Sequence, residues 1–221
     1  MFEEFFLSAQ QDIKLFLCFP IICALFRAIF IMTHKPYSSL KGKGKALWQC
    51  FRFGFWWGMD LNAYVFPVSL ILITLPGLFV MPWAQSGDTI RLVIGLLYAI
   101  ILYIAFVGKM IFYAQFHDIF NNIVFLGEKA EKNNLIDVFF NQYNGARKLL
   151  LLIPYIAVSY FFLKGMLSLP SVPYPHVYGV AYYGFNILVV LSLVALFYYC
   201  RYGGTFLHDN KPEWDTIPAV V

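Results

Sequence analysis

Six residues could do chemistry in an apolar setting: Arg27, Arg52, Asp60, Lys109, His117 and Asp118. Arg27 and Lys109 sit inside long apolar runs. Asp60 closes an aromatic, glycine-rich stretch, Phe51-Arg52-Phe53-Gly54-Phe55-Trp56-Trp57-Gly58-Met59-Asp60, that leads into another such run. Hydrocarbon solvates ions poorly, so a charge in such a run must find a counter-ion, water or a ligand, and it is a functional candidate by default. Two chemistries suit these residues. One is a buried ion cluster, with Arg27 paired to Asp60 across a helical hairpin, that fixes helix register. The other is capture of an anionic phospholipid headgroup by Arg27 and Lys109, with Arg52, Asp60 and the His117-Asp118 pair completing a polar rim. No serine or cysteine stands near His117 and Asp118, so a solvated interfacial face is the simpler reading of that pair, and no residue set forms a catalytic centre. Cys18, Cys23, Cys50 and Cys200 occur singly, without a CxxC pair or histidines at ligand spacing. That pattern predicts spectator thiols and no metal site.

The elements that would position these residues are apolar helices. Hydrophobic residues make up 61% of the 221 and charged residues 13%. Soluble chains run near 45–50% and about 25%, so these values define an integral membrane protein. Nothing in the pattern suggests a nucleic-acid partner, and the first apolar run has no cleavage-site signature behind it. Since about 20 apolar residues cross a bilayer core, the runs predict an all-α integral membrane fold: a five-helix transmembrane bundle with interfacial amphipathic helices. The predicted crossings are 15–33, 58–81, 90–116, 149–169 and 177–200, within a membrane domain of residues 1–204. Residues 46–57, rich in Trp and Arg, suit the headgroup layer. Pro67 and Pro76 should kink the second crossing, and Pro154 the fourth, while residues 85–88 read as a turn. Residues 117–148 carry apolar positions at helical spacing and form an amphipathic linker. Residues 205–221 are a polar tail.

Five crossings gather the charges on one side. Taking the side reached by the end of the first crossing as upper, thirteen of the sixteen Lys and Arg residues lie there, and only Lys14, Arg91 and Lys164 lie below. Arg27, Asp60 and Lys109 all fall in the upper half. The basic loop 34–45 (HKPYSSLKGKGK) serves either as a topology signal or as a contact for anionic lipid.

Several of these features together resemble the N-terminal membrane domain of the lipoteichoic acid synthase-like family. They are the Gly58-Met59-Asp60-Leu61 motif with Tyr64 one turn on, the run Tyr113-Ala-Gln-Phe116-His-Asp-Ile-Phe120-Asn121 closing the third crossing, the amphipathic linker and the polar tail. The resemblance spans most of residues 10–216 through diffuse motifs. It implies a membrane anchor and lipid-presenting domain of a phosphoglycerol or phosphoethanolamine transferase. It further implies a sulfatase or alkaline-phosphatase-like catalytic domain that follows the tail and lies outside this sequence. That domain would carry the nucleophilic threonine and a divalent metal; nothing in these 221 residues matches them, so no cofactor is expected in this chain. The resemblance implies a multi-pass protein of the bacterial cytoplasmic membrane with a periplasmic or extracellular C-terminus. The excess of basic residues on the upper side argues the opposite orientation. Two other classes fit the composition: a small transporter that uses Arg27, Asp60 and Lys109 as a polar path, and a non-enzymatic membrane assembly factor. Against the transporter, the sequence shows no inverted repeat, and Ser69, Thr74, Ser159, Asn186 and Ser192 are scattered through the lower half.

Overall fold

A computed structural model describes residues 1–34, 41–117 and 138–202, which are helical apart from short connections and contain no strand. Outside them lie residues 35–40 of the basic loop, residues 118–137 of the linker with Asp118, and residues 203–221, which include the tail 205–221. Helix α1 covers Phe2–His34. Then come α2, Gly44–Asn62, and α3, Val65–Ser69, followed by a π-helical turn over Leu70–Thr74 and the short α4, Leu75–Gly77. Helix α5 is Met81–Phe116, a second π-helical turn spans Val138–Gln142, α6 is Gly145–Leu167 and α7 is Val180–Tyr202. Five segments are long and apolar enough to cross a membrane: Phe2–His34, Gly44–Gly77, Met81–Phe116, Gly145–Leu167 and Val180–Tyr202.

Residues 46–57, expected as an interfacial segment ahead of a crossing that starts at 58, instead lie in the continuous helix Gly44–Asn62 and within the span Gly44–Gly77; two further differences have identifiable reasons. The first helix begins at Phe2 rather than near residue 15. Its early polar residues, Ser8, Gln10, Gln11, Asp12 and Lys14, find partners inside the protein and so do not end the helix. The turn expected at 85–88 lies instead at 78–80, and residues 85–88 are helical. Pro82 explains the shift: at the second position of a helix its missing N–H has no partner to lose and its fixed φ favours helical entry.

The chain divides into two compact units, Met1–Val93 with Leu163–Val221, and Ile94–Phe162. In the first unit α1 and the segment 44–77 form an antiparallel hairpin whose register can be followed rung by rung. Arg27 lies against Gly54, the Cβ of Cys23 against Gly58, and Phe16 packs with Ala63 and Phe66. Asp12 meets Ser69, and Ser8 meets Thr74. Each turn down one helix is matched by a turn up the other, which is the register of two helices packed side by side. The connection between α6 and α7 is strapped to α1 by a reciprocal amide clamp: Gln10 donates to the Val172 carbonyl at 3.0 Å, and the Val172 N–H donates to Gln10 Oε1 at 2.8 Å. Lys14 adds bonds to the Leu169 carbonyl, 2.6 Å, and to Ser171 Oγ, 2.9 Å. Beside this strap Phe6, Tyr174 and Phe185 form an aromatic triad, and the Tyr174 hydroxyl donates to buried Asn186 at 2.9 Å.

Proline 76 removes one backbone donor from the second crossing. The carbonyl four residues earlier, Leu72, accepts from the indole Nε1 of Trp83 at 2.9 Å. In hydrocarbon a freed carbonyl has no water to turn to, so a side-chain donor takes over. Trp83→Phe is expected to lower stability by about 1–2 kcal/mol in detergent unfolding, the cost of an orphaned carbonyl plus some lost packing. An unchanged midpoint would show that the indole bond is dispensable. At Pro67 the backbone compensates for itself: the Ala63 carbonyl accepts from the Phe66 N–H at 3.2 Å.

In the second unit, α5 and α6 are joined by tyrosines. The Tyr103 hydroxyl donates to the Lys148 carbonyl, 2.6 Å, and the Tyr155 hydroxyl to the Ala99 carbonyl, 2.9 Å, with the two rings 4.9 Å apart. Asn144 enters α6 with φ +51°, and Gly145 follows because the Phe139 ring occupies the place a Cβ would take.

Candidate functional site

The predicted site residues separate into distinct arrangements. Asp60, expected opposite Arg27, is held by a residue from the last helix: the Arg201 guanidinium donates through Nη1 to its carboxylate. Arg201 Nε also donates to the Tyr64 hydroxyl at 3.0 Å, and its guanidinium lies over the rings of Tyr64 and Tyr202. Tyr64, one turn beyond Asp60, therefore serves as the second acceptor of a clamp that ties α7 to the second crossing. Arg27 is elsewhere, about six residues or 9 Å from the level of Asp60 along α1 at 1.5 Å per residue.

The guanidinium of Arg27 rests on the backbone of Gly54, so close that a Cβ there would coincide with it. Its Nη1 is buried and, among the described residues, has no hydrogen-bond partner. None of the ion pairs among those residues includes Arg27. The thiols of Cys23 and Cys50 lie near it, and no group of three or more His, Cys, Asp or Glu among the described residues could hold a metal.

Arg52 is exposed on α2, over the ring of Phe53. His117 ends α5 with φ +51°, a left-handed cap that any residue but glycine or asparagine adopts at some cost. Lys109 and His117 belong to the second unit, and Arg27, Arg52 and Asp60 to the first.

The most completely partnered charges lie at the other end of the hairpin, on residues that sequence reasoning passed over. Asp12 is fully buried and Arg91 is 3% exposed. Arg91 Nε donates to Asp12 Oδ1 at 2.7 Å, and Nη2 donates to Ser8 Oγ, 2.6 Å, and Thr74 Oγ1, 2.9 Å. Nη1 donates to Asp88 at 3.1 Å. Asp12 in turn accepts from Ser69 Oγ and from Thr74 Oγ1, both at 2.5 Å. Thr74 gives its hydroxyl proton to Asp12 and so accepts from Arg91 and Ser8. The serine and threonine that looked scattered in the sequence thus belong to one cluster.

The π-helical turn makes this convergence possible. In an α-helix, residues five apart point about 140° away from each other. A turn closed by an i to i+5 bond stacks them instead, and the Leu75 N–H reaches back to the Leu70 carbonyl in this way. Ser69 and Thr74, five apart, so reach the same carboxylate. The sequence did hold one signal: Ser8, Asp12, Leu15, Phe16 and Phe19 share one helical face, and the acid sits within the apolar stripe.

No protein-family model, curated protein or solved structure matches this chain.

Proposed function

We propose that the chain is a multi-pass membrane domain that receives the headgroup of an anionic phospholipid, acting as the anchor and lipid-presenting part of a phosphoglycerol or phosphoethanolamine transferase. The observation that carries this reading is Arg27: a guanidinium within an apolar crossing, seated on Gly54, whose charge no acid among the described residues neutralises. An embedded cation of that kind needs an anion, and a lipid phosphate on the basic side of the bundle supplies one. Arg52, exposed on the same helix as Gly54, adds a second cation in this reading, and the chemistry of transfer belongs to a metal-dependent catalytic domain outside this sequence.

Native mass spectrometry of the purified protein with phosphatidylglycerol and phosphatidylcholine tests the binding step. Arg27→Gln is expected to lower retention of the anionic lipid roughly tenfold, the worth of one charge-assisted bond, and to leave the neutral lipid unaffected. Equal retention by both proteins would remove the basis of the proposal. The transferase assignment is checked separately, by whether deleting the gene removes a phosphoglycerol or phosphoethanolamine group from a cell-surface polymer.

A second reading, a small transporter, is favoured by the polar network around Asp12 and Arg91 in the half of the bundle that looked apolar in sequence. Substrate uptake by proteoliposomes that is lost in Asp12→Asn would favour it over lipid presentation.

A further inference from the structure

Beside the Asp12–Arg91 network, within the first unit, lies a cavity of about 410 Å³ bordered by Glu4, Gln11, Gln85, Asp88, Arg91 and Ser171. Its size is that of a small-molecule site rather than of a single ion. We propose that it binds a small organic molecule through an ammonium group.

The assignment follows from counting which polar atoms remain to be used. Arg91 looks like an anion receptor, but Nε is given to Asp12, one Nη1 proton to Asp88, and Nη2 to Ser8 and Thr74, which leaves a single Nη1 proton. Lys14 is likewise committed, to the Leu169 carbonyl and Ser171. The wall therefore keeps little with which to hold an anion. Acceptors are left over. Gln11 Oε1 is buried with no partner among the described residues, and such an atom is costly unless something donates to it. Asp88 engages Arg91 through Oδ1, and its side chain is 62% exposed. Glu4, also exposed, engages the N-terminal amine of Met1 through Oε2. Arg91 is balanced by Asp12, and the two acids of the border, Glu4 and Asp88, are both exposed. A buried carbonyl oxygen and two exposed carboxylates on the border match a group with several N–H donors and a positive charge. The Ser171 hydroxyl, which accepts from Lys14, retains a proton to donate and can hold an acceptor elsewhere on the same molecule.

Three compounds with one carbon skeleton separate the alternatives: propylammonium, 1-propanol and propionate, each titrated against the thermal unfolding of the full chain in detergent. Only propylammonium is expected to raise the midpoint saturably. Asp88→Asn keeps a carbonyl to accept from Arg91 and lies at the surface, so the fold is retained; it should weaken the apparent affinity for propylammonium roughly tenfold. Gln11→Leu should weaken it as well. Stabilisation by propionate, equal effects of all three compounds, or no effect of propylammonium at any tolerated concentration would overturn the proposal, as would an unchanged affinity in Asp88→Asn. The lipid-binding measurement on Arg27 involves none of these residues, so failure of one proposal leaves the other standing.

Discussion

Asp12→Leu is expected to lower the unfolding free energy by about 3–5 kcal/mol, the largest loss of any single substitution considered for this protein, because it leaves the Arg91 cation buried without its counter-ion. The double variant Asp12→Leu with Arg91→Leu should recover most of that loss. A buried ion pair gains little net stability once desolvation is counted, so two apolar side chains of similar volume fill the space at small cost. The remaining groups tolerate the change. Asp88 is largely exposed and returns to water, and the hydroxyls of Ser69 and Thr74 can turn to helical carbonyls four residues back. Unfolding in mixed micelles of increasing denaturing detergent measures all three variants. A double variant as unstable as Asp12→Leu alone would mean that the network contributes through its geometry rather than its charge balance.

The second large effect concerns Gly54. A single methyl group there would occupy the space of the Arg27 guanidinium, so Gly54→Ala must push the arginine off its seat. Overpacking of this kind costs about 1–3 kcal/mol, here increased by the search of a displaced cation for a new environment. The rescue is specific: in an Arg27→Ala background, Gly54→Ala should be neutral or stabilising, since alanine is the better helix former by about 1 kcal/mol. Two contacting residues are expected to show such non-additivity, and the double-mutant cycle measures it directly. Additive losses would place the arginine away from the glycine in the folded protein.

The contrast between what the sequence disclosed and what it concealed follows from the range of each interaction. Apolar runs are local, so five potential crossings and their prolines could be read directly. The composition of residues 85–88 suggested a turn. Composition competes there with the entry geometry set by Pro82, and the geometry prevailed, moving the break to 78–80. The choice of ionic partner is not local. Asp60 had a plausible cation on the preceding helix, yet its partner, Arg201, is 141 positions away, and only the packing of α7 against the second crossing selects it. Asp12 and Arg91 were concealed for a related reason. Each lies near the end of an apolar run, where a charge ordinarily meets water, and only the continuation of α1 to Phe2 with the strap at 169–172 encloses that end.

The wide turn at Leu70–Thr74 also alters how the whole second crossing should be regarded. Relative to an unbroken α-helix it accommodates one surplus residue, and one residue corresponds to about 100° of rotation. The rod is therefore phased differently above and below the turn. A helical wheel drawn over its full length blurs two stripes into one and hides the acid's partners. Loss of one residue from that turn would leave a smoother helix whose lower half faced the wrong neighbour.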